Sequence, residues 1–132
     1  MVDTLIQAQA QGRVPWKELV LDLGMVKVYT DKFPVTTGHR LFVPAQDDND
    51  HVAECFRQAY KLGNFLVQQG VCQGFNVGMN MGSTAGQTVM YPHIHLIPRR
   101  DGDAPDPVGG IRAVIPGQAN YKKPDYKNPT DK

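Results

Sequence analysis

Between Gly86 and Pro98 the chain reads Gly-Gln-Thr-Val-Met-Tyr-Pro-His-Ile-His-Leu-Ile-Pro, and this alternation leaves the backbone little choice. A period of two belongs to an extended strand and does not make one face of a helix. Val89 and residues 94–97 form a short strand bounded by Gly86 and Pro98. Successive side chains leave opposite faces of a strand, so Ile94 and Leu96 turn to a core while His93 and His95 share the other side. A strand running regularly from Val89 also brings Tyr91 to the histidine face. At strand rise the two imidazoles stand roughly 6–7 Å apart, a spacing suited to joint handling of one substrate group such as a phosphate.

The remaining segments supply partners for that strand. Residues 18–22 and 25–29 are two apolar, β-prone runs around Leu23-Gly24, which reads as a hairpin turned on the permissive backbone of Gly24. Residues 31–38 are a turn, and residues 39–44 a strand closed by Pro44, with His39, Leu41 and Val43 of one parity. The run Asp47-Asp48-Asn49-Asp50 caps a helix over residues 48–69 whose stripe is Val52, Cys55, Phe56, Ala59, Leu62 and Leu66. Residues 74–80 alternate again: Phe75, Val77 and Met79 point inward, and Asn76, Gly78 and Asn80 outward. Gly82-Ser83-Thr84-Ala85-Gly86 is a small-residue loop whose amides offer a cradle for an oxyanion. Residues 1–14 read as a short helix or a loose arm, and residues 117–132 lack periodicity and read as extended or disordered.

Composition narrows the function. A length of 132 residues suits one domain with a real core. A net charge of +1 gives no bulk attraction to nucleic acid or to an anionic membrane, and no apolar run has membrane-spanning length. The N-terminus lacks the basic start and long apolar stretch of a signal peptide, and Cys55 and Cys72 form no CxxC pair, so the expected setting is a reducing cytoplasm.

Three readings of the histidine strand compete. His93 and His95 are polar residues on a half-exposed strand; or they ligate a metal with His39, although no Cys, Asp or Glu nearby completes an obvious set; or they act on a phosphorylated substrate beside Gln87, Thr88, Arg99 and the glycine loop.

The motif, with Gly86-Gln87-Thr88-Val89 before it and Ile97-Pro98-Arg99 after it, resembles the histidine-triad (HIT) family of nucleotide hydrolases and transferases. Residues 33–44 resemble that family's strand pair, and residues 109–116 a segment of its bacterial dinucleoside-polyphosphate hydrolase branch. The likeness spans about residues 16–116 and implies an α+β fold: an antiparallel sheet of about five strands with one long helix packed on it. It divides the chain into an N-terminal arm (1–14), the HIT domain (15–116) and a tail (117–132). It implies a homodimer joined through the 48–69 helix and the strand near 74–80, with neither cofactor nor metal.

By the same resemblance His93 is the nucleophile that attacks the α-phosphorus of a dinucleoside polyphosphate such as diadenosine tetraphosphate, or of a nucleoside phosphoramidate. His95 contacts phosphate and assists the leaving group; Asn80, Gln87, Thr88 and Tyr91 line the phosphate and leaving-group region. Asp31 takes the ribose hydroxyls, Val28 and Phe33 hold the base, and His39 supports the site from behind. Tyr91 stands where the first triad histidine is expected, and a phenol is not cationic near pH 7. The main-chain carbonyl at 91 survives that change, so turnover is expected to persist. A nucleotide-sensing protein of the same fold without turnover is the other reading the resemblance allows.

Overall fold

The computed structural model describes residues 1–130. Residues 1–99 form one compact unit, and a second begins at Arg100. The first unit holds helix α1 (Leu5–Ala10), strands β1 (Leu19–Asp22), β2 (Val26–Thr30) and β3 (Arg40–Pro44), helix α2 (Asn49–Gln68), and strands β4 (Gly74–Gly78) and β5 (Ile94–Arg99). The strands make one sheet in the order β1-β2-β3-β5-β4, antiparallel at every pairing. The fold is thus the expected α+β arrangement of a five-stranded antiparallel sheet with one long helix packed on it.

Each element follows from local chemistry. The β1–β2 hairpin turns on Gly24, whose φ of 80° is open to glycine. Asp48 caps α2 by accepting the His51 amide at 2.9 Å, as the acidic run before the helix predicts. The N-terminal segment is helical because Thr4 and Gln7 form a reciprocal capping box, and Leu5 and Ala8 are buried.

The sheet has two distinct faces. Under α2, Val26, Val28, Phe42, Ile94 and Leu96 pack against Cys55 and Ala59, with Phe75, Val77 and Met79 at the margin. On the opposite face Tyr29, Leu41 and Val43 pack with Leu5, Ala8, Trp16 and Tyr91. His95 leaves β5 on this second face, since Ile94 and Leu96 beside it are committed to α2.

Helix and sheet approach closely at one glycine. A Cβ built on Gly63 lies 2.6 Å from the Phe75 ring. Gly63→Ala therefore loses more by overpacking than it gains from helix propensity, and we expect a net destabilisation of about 1–2 kcal/mol, read as a lower urea midpoint at unchanged slope.

In the second unit, the Arg112 guanidinium donates to the carbonyls of Ala119 (3.0 Å) and Gln118 (3.1 Å) and lies 5.3 Å and 5.7 Å from the Tyr121 and Tyr126 ring centroids. Lys123 pairs with Asp106 at 2.9 Å. The last two residues of the 117–132 tail lie outside the described residues.

Candidate functional site

On the sheet face opposite α2, a cleft of about 300 Å³ is lined by Asp31, Asn80, Gln87, Thr88, His93 and His95, with Trp16, Phe33 and Leu41 among its walls. A second hollow shares Trp16, Asp31 and Lys32 with it. Register explains the opening: His95 pairs with Leu41 on one side and with Gly78 on the other. Gly78 puts no side chain beside the imidazole.

The hydrogen-bond partners fix where the protons sit. His93 Nδ1 lies 2.9 Å from the Tyr91 carbonyl, which can only accept, so Nδ1 carries a hydrogen and in the neutral ring the lone pair is on Nε2. His39 Nδ1 accepts the Val35 amide at 3.1 Å, which puts the hydrogen of a neutral His39 on Nε2. That nitrogen is 2.8 Å from His95 Nδ1 and 3.4 Å from an Asp31 carboxylate oxygen. His95 Nδ1 is then an acceptor, and neutral His95 carries its hydrogen on Nε2. In their neutral forms one imidazole of the cleft thus presents a lone pair and the other a hydrogen, their centroids 5.3 Å apart.

Burial, with lesser contributions from the neighbouring His93 and His39, lowers the His95 pKa to about 4; burial lowers that of His39 as well, against the pull of Asp31. Both depressed values have one consequence for stability. The unfolded chain binds the proton more readily than the folded one, so the full stability stands above about pH 6.5 and is lost as the pH falls toward 4. We expect the unfolding free energy to drop by on the order of 3 kcal/mol across that window from His95 alone, measured by urea unfolding at stepped pH, and His95→Asn to flatten the profile there.

Not every anticipated residue reaches the cleft. Tyr91 precedes β5 rather than extending it; Pro92 offers no amide to the ladder. Its side chain stays on the histidine side of the sheet but turns into the core, 2% exposed, where the hydroxyl donates to the Pro44 carbonyl at 2.6 Å. The phenol is therefore not among the phosphate-binding groups. Val28 is likewise removed from the base pocket, because β2 turns it under α2. Phe33 does line the cleft and is 79% exposed.

Gln87 is buried and works as a staple: its Oε1 accepts the Gly82 amide at 2.7 Å and its Nε2 donates to the Val89 carbonyl at 3.0 Å. The amides of Ala85, Gly86 and Gln87 also bond within this loop, so together with Gly82 they do not serve as the anticipated oxyanion cradle. Asn80 and Thr88 line the cleft. Asp31 uses one oxygen to accept the Phe33 amide at 2.8 Å, which fixes its carboxylate at the rim. Arg99 donates to Asn76 at 2.8 Å.

Sequence reasoning missed Trp16. Its ring centroid stands 4.9 Å from that of His93, tilted by 58°. No periodicity in the sequence links the two positions.

Asp31, His39 and His95 each offer a metal-ligating atom within 4.8 Å of the others. The two ring nitrogens are 2.8 Å apart and share a hydrogen, whereas two ligands of one tetrahedral zinc stand roughly 3.3 Å apart. The trio fits a hydrogen-bonded relay better than a metal.

A family model described as the HIT domain matches residues 14–102. An adenylylsulfatase of Arabidopsis thaliana is 29% identical over 100 residues, covering 70% of this chain and 50% of that protein. An AP-4-A phosphorylase of Mycobacterium tuberculosis is 30% identical over 88 residues, covering 61% of this chain and 45% of that protein. The chain thus spans about half the length of these two relatives. A zinc-bound histidine triad family protein from Mycobacterium smegmatis superposes with a TM-score of 0.61 at 26% identity, covering 79% of this chain and 84% of the other. No helix among the described residues is long and apolar enough to cross a membrane. With the family model matched over most of its length, from Val14 through β5, the chain belongs to the HIT domain family.

Proposed function

We propose that the cleft cleaves nucleotide acid anhydrides at the α-phosphorus, with a dinucleoside polyphosphate such as diadenosine tetraphosphate as the leading substrate, through a nucleotidyl-His93 intermediate. The observation that carries this reading is the opposed tautomer pair: a lone pair on His93 Nε2 and a hydrogen on His95 Nε2.

In the first half, His93 Nε2 attacks the α-phosphorus, the new N–P bond forms and the P–O bond to the leaving group breaks. Asn80 and Thr88 on the cleft wall donate to the phosphoryl oxygens, where each such donor is worth about 10²–10³ in rate. Asp31 accepts from the ribose hydroxyls, and Phe33 gives the base an apolar wall. In the second half, water attacks phosphorus, the N–P bond breaks, a nucleoside monophosphate leaves and the water's proton passes to solvent.

The tautomer of His95 also bears on the leaving group. Its Nδ1 accepts from His39, so full transfer of its Nε2 proton would leave an anionic ring. A neutral donor of this kind stabilises a group that departs as an anion and serves poorly one that must be protonated to depart. That favours an anhydride over a phosphoramidate, whose amine needs a proton. The named activities of the Arabidopsis and mycobacterial relatives, adenylylsulfatase and AP-4-A phosphorylase, lie on the same side of that division.

The test is to incubate the protein with diadenosine tetraphosphate labelled in its α-phosphate, quench at alkaline pH and locate the label. Label on His93 with release of AMP supports the enzyme; AMP binding with neither label nor turnover sinks it and leaves a nucleotide sensor. We further propose a homodimer built on α2 and β4, supported by the open outer edge of β4 and the exposed Tyr60 and Phe65 of α2. A monomeric mass in sedimentation equilibrium at micromolar concentration would exclude it.

A further inference from the structure

We propose that Trp16 stabilises the positive charge that His93 acquires when it becomes nucleotidylated. The inference rests on the nucleophile reading above and adds a residue that reading did not require.

The charge follows from the hydrogen-bond geometry. His93 Nδ1–H is held by the Tyr91 carbonyl, a group that accepts the hydrogen bond and cannot take the proton. As Nε2 bonds to phosphorus and the P–O bond breaks, the leaving group carries away the electron pair. The ring keeps its Nδ1 hydrogen and becomes an N-phosphorylated imidazolium. It loses that charge only when water displaces it.

Apart from the Tyr91 carbonyl, the surroundings of the ring offer a cation little support. His95, 5.3 Å away, is kept neutral chiefly by burial, and a charge on His93 opposes one on His95. The Asp31 carboxylate lies nearer the other two histidines, 3.4 Å from His39 and 4.0 Å from His95. What meets the His93 ring is the indole of Trp16 at 4.9 Å, inside the about 6 Å range over which an aromatic ring attracts a cation. Tryptophan has the strongest such attraction of the aromatic side chains.

Trp16 is also held where it is needed. It is 8% exposed and packed with Leu5, Ala8, Tyr29, Leu41, Val43 and Tyr91. The same cluster buries Tyr91, whose carbonyl holds Nδ1 of the His93 ring. One apolar block therefore sets both the hydrogen-bond acceptor and the aromatic partner of the nucleophile.

The chain has a single tryptophan, so biosynthetic replacement by mono-, di- and trifluorinated tryptophan changes this position alone. Fluorination withdraws charge from the indole face at nearly constant shape. Using α-phosphate-labelled diadenosine tetraphosphate and rapid alkaline quench, we expect the rate of label appearance on His93 to fall stepwise, by about threefold to tenfold over the series. Affinity for AMP and the urea midpoint should stay constant, as a merely structural role would not produce a graded rate at fixed stability. Trp16→Leu should slow labelling by about tenfold or more, and Trp16→Tyr should recover part of it. Normal labelling with a flat fluorination series overturns the role of Trp16 and leaves the nucleophile intact. No label on His93 in the unmodified protein, with this probe or with adenylyl sulfate, overturns the nucleophile and this inference together.

Discussion

His93→Ala is expected to lower turnover of a nucleotide anhydride by at least about 10³-fold while leaving AMP affinity within a few-fold of the parent. The variant keeps Asn80, Thr88, Asp31 and Phe33 on the cleft walls, so the ligand retains its contacts and loses only the atom that forms the N–P bond. Stability should hold as well, because His93 is half-buried and its recorded hydrogen bond, to the Tyr91 carbonyl, is worth about 1 kcal/mol. Steady-state kinetics, AMP titration calorimetry and urea unfolding separate the three quantities. A variant that turns over at the parental rate would require a different attacking group, such as water activated directly. His39→Ala should act differently. It removes the donor that sets the His95 tautomer, freeing Nδ1 to carry the hydrogen, and so weakens leaving-group stabilisation without touching the nucleophile.

The contrast between these residues shows what local patterning can and cannot reveal. The α2 stripe, its Asp48 cap and the hairpin around Gly24 are written in residues close along the chain, and the structure reproduces them nearly to the residue. The alternation that sets Ile94 and Leu96 against His95 is equally local. Val28 is different. Both faces of β2 are apolar, with Val26 and Val28 on one and Tyr29 on the other, and only the pairing of β2 with β3 decides which goes under α2. Asp31 and His39 were pointed to only by family resemblance, since their meeting with His95 is made by sheet register and not by spacing. Trp16 had neither kind of signal. Its position beside His93 is produced by packing in the cluster that also takes in α1, a segment whose helix depends on a short capping box.

Tyr91→Phe is expected to cost about 1–3 kcal/mol of folding stability and to leave the turnover of the folded protein within about threefold of the parent. The phenol donates to the Pro44 carbonyl in a buried setting, and burial pushes its pKa well above the ordinary range, so it remains a neutral donor at all working pH values. Removing the hydroxyl strands that carbonyl without disturbing the backbone at 91, and the backbone is what His93 uses. A phenol that met the phosphate would give the opposite result: kcat lower by about 10²-fold at undiminished stability. Tyr91→Ala should separate the two functions of the position further. It opens a cavity among Trp16, Leu41 and Val43 costing about 3–5 kcal/mol, and the relaxation around it reaches both supports of His93 at once. Activity should then fall together with stability, whereas Tyr91→Phe uncouples them. On the proposed mechanism the same division of labour lets a tyrosine occupy the place of the first triad histidine. The side chain there serves the core, and what His93 takes from position 91 is a carbonyl that every residue type supplies.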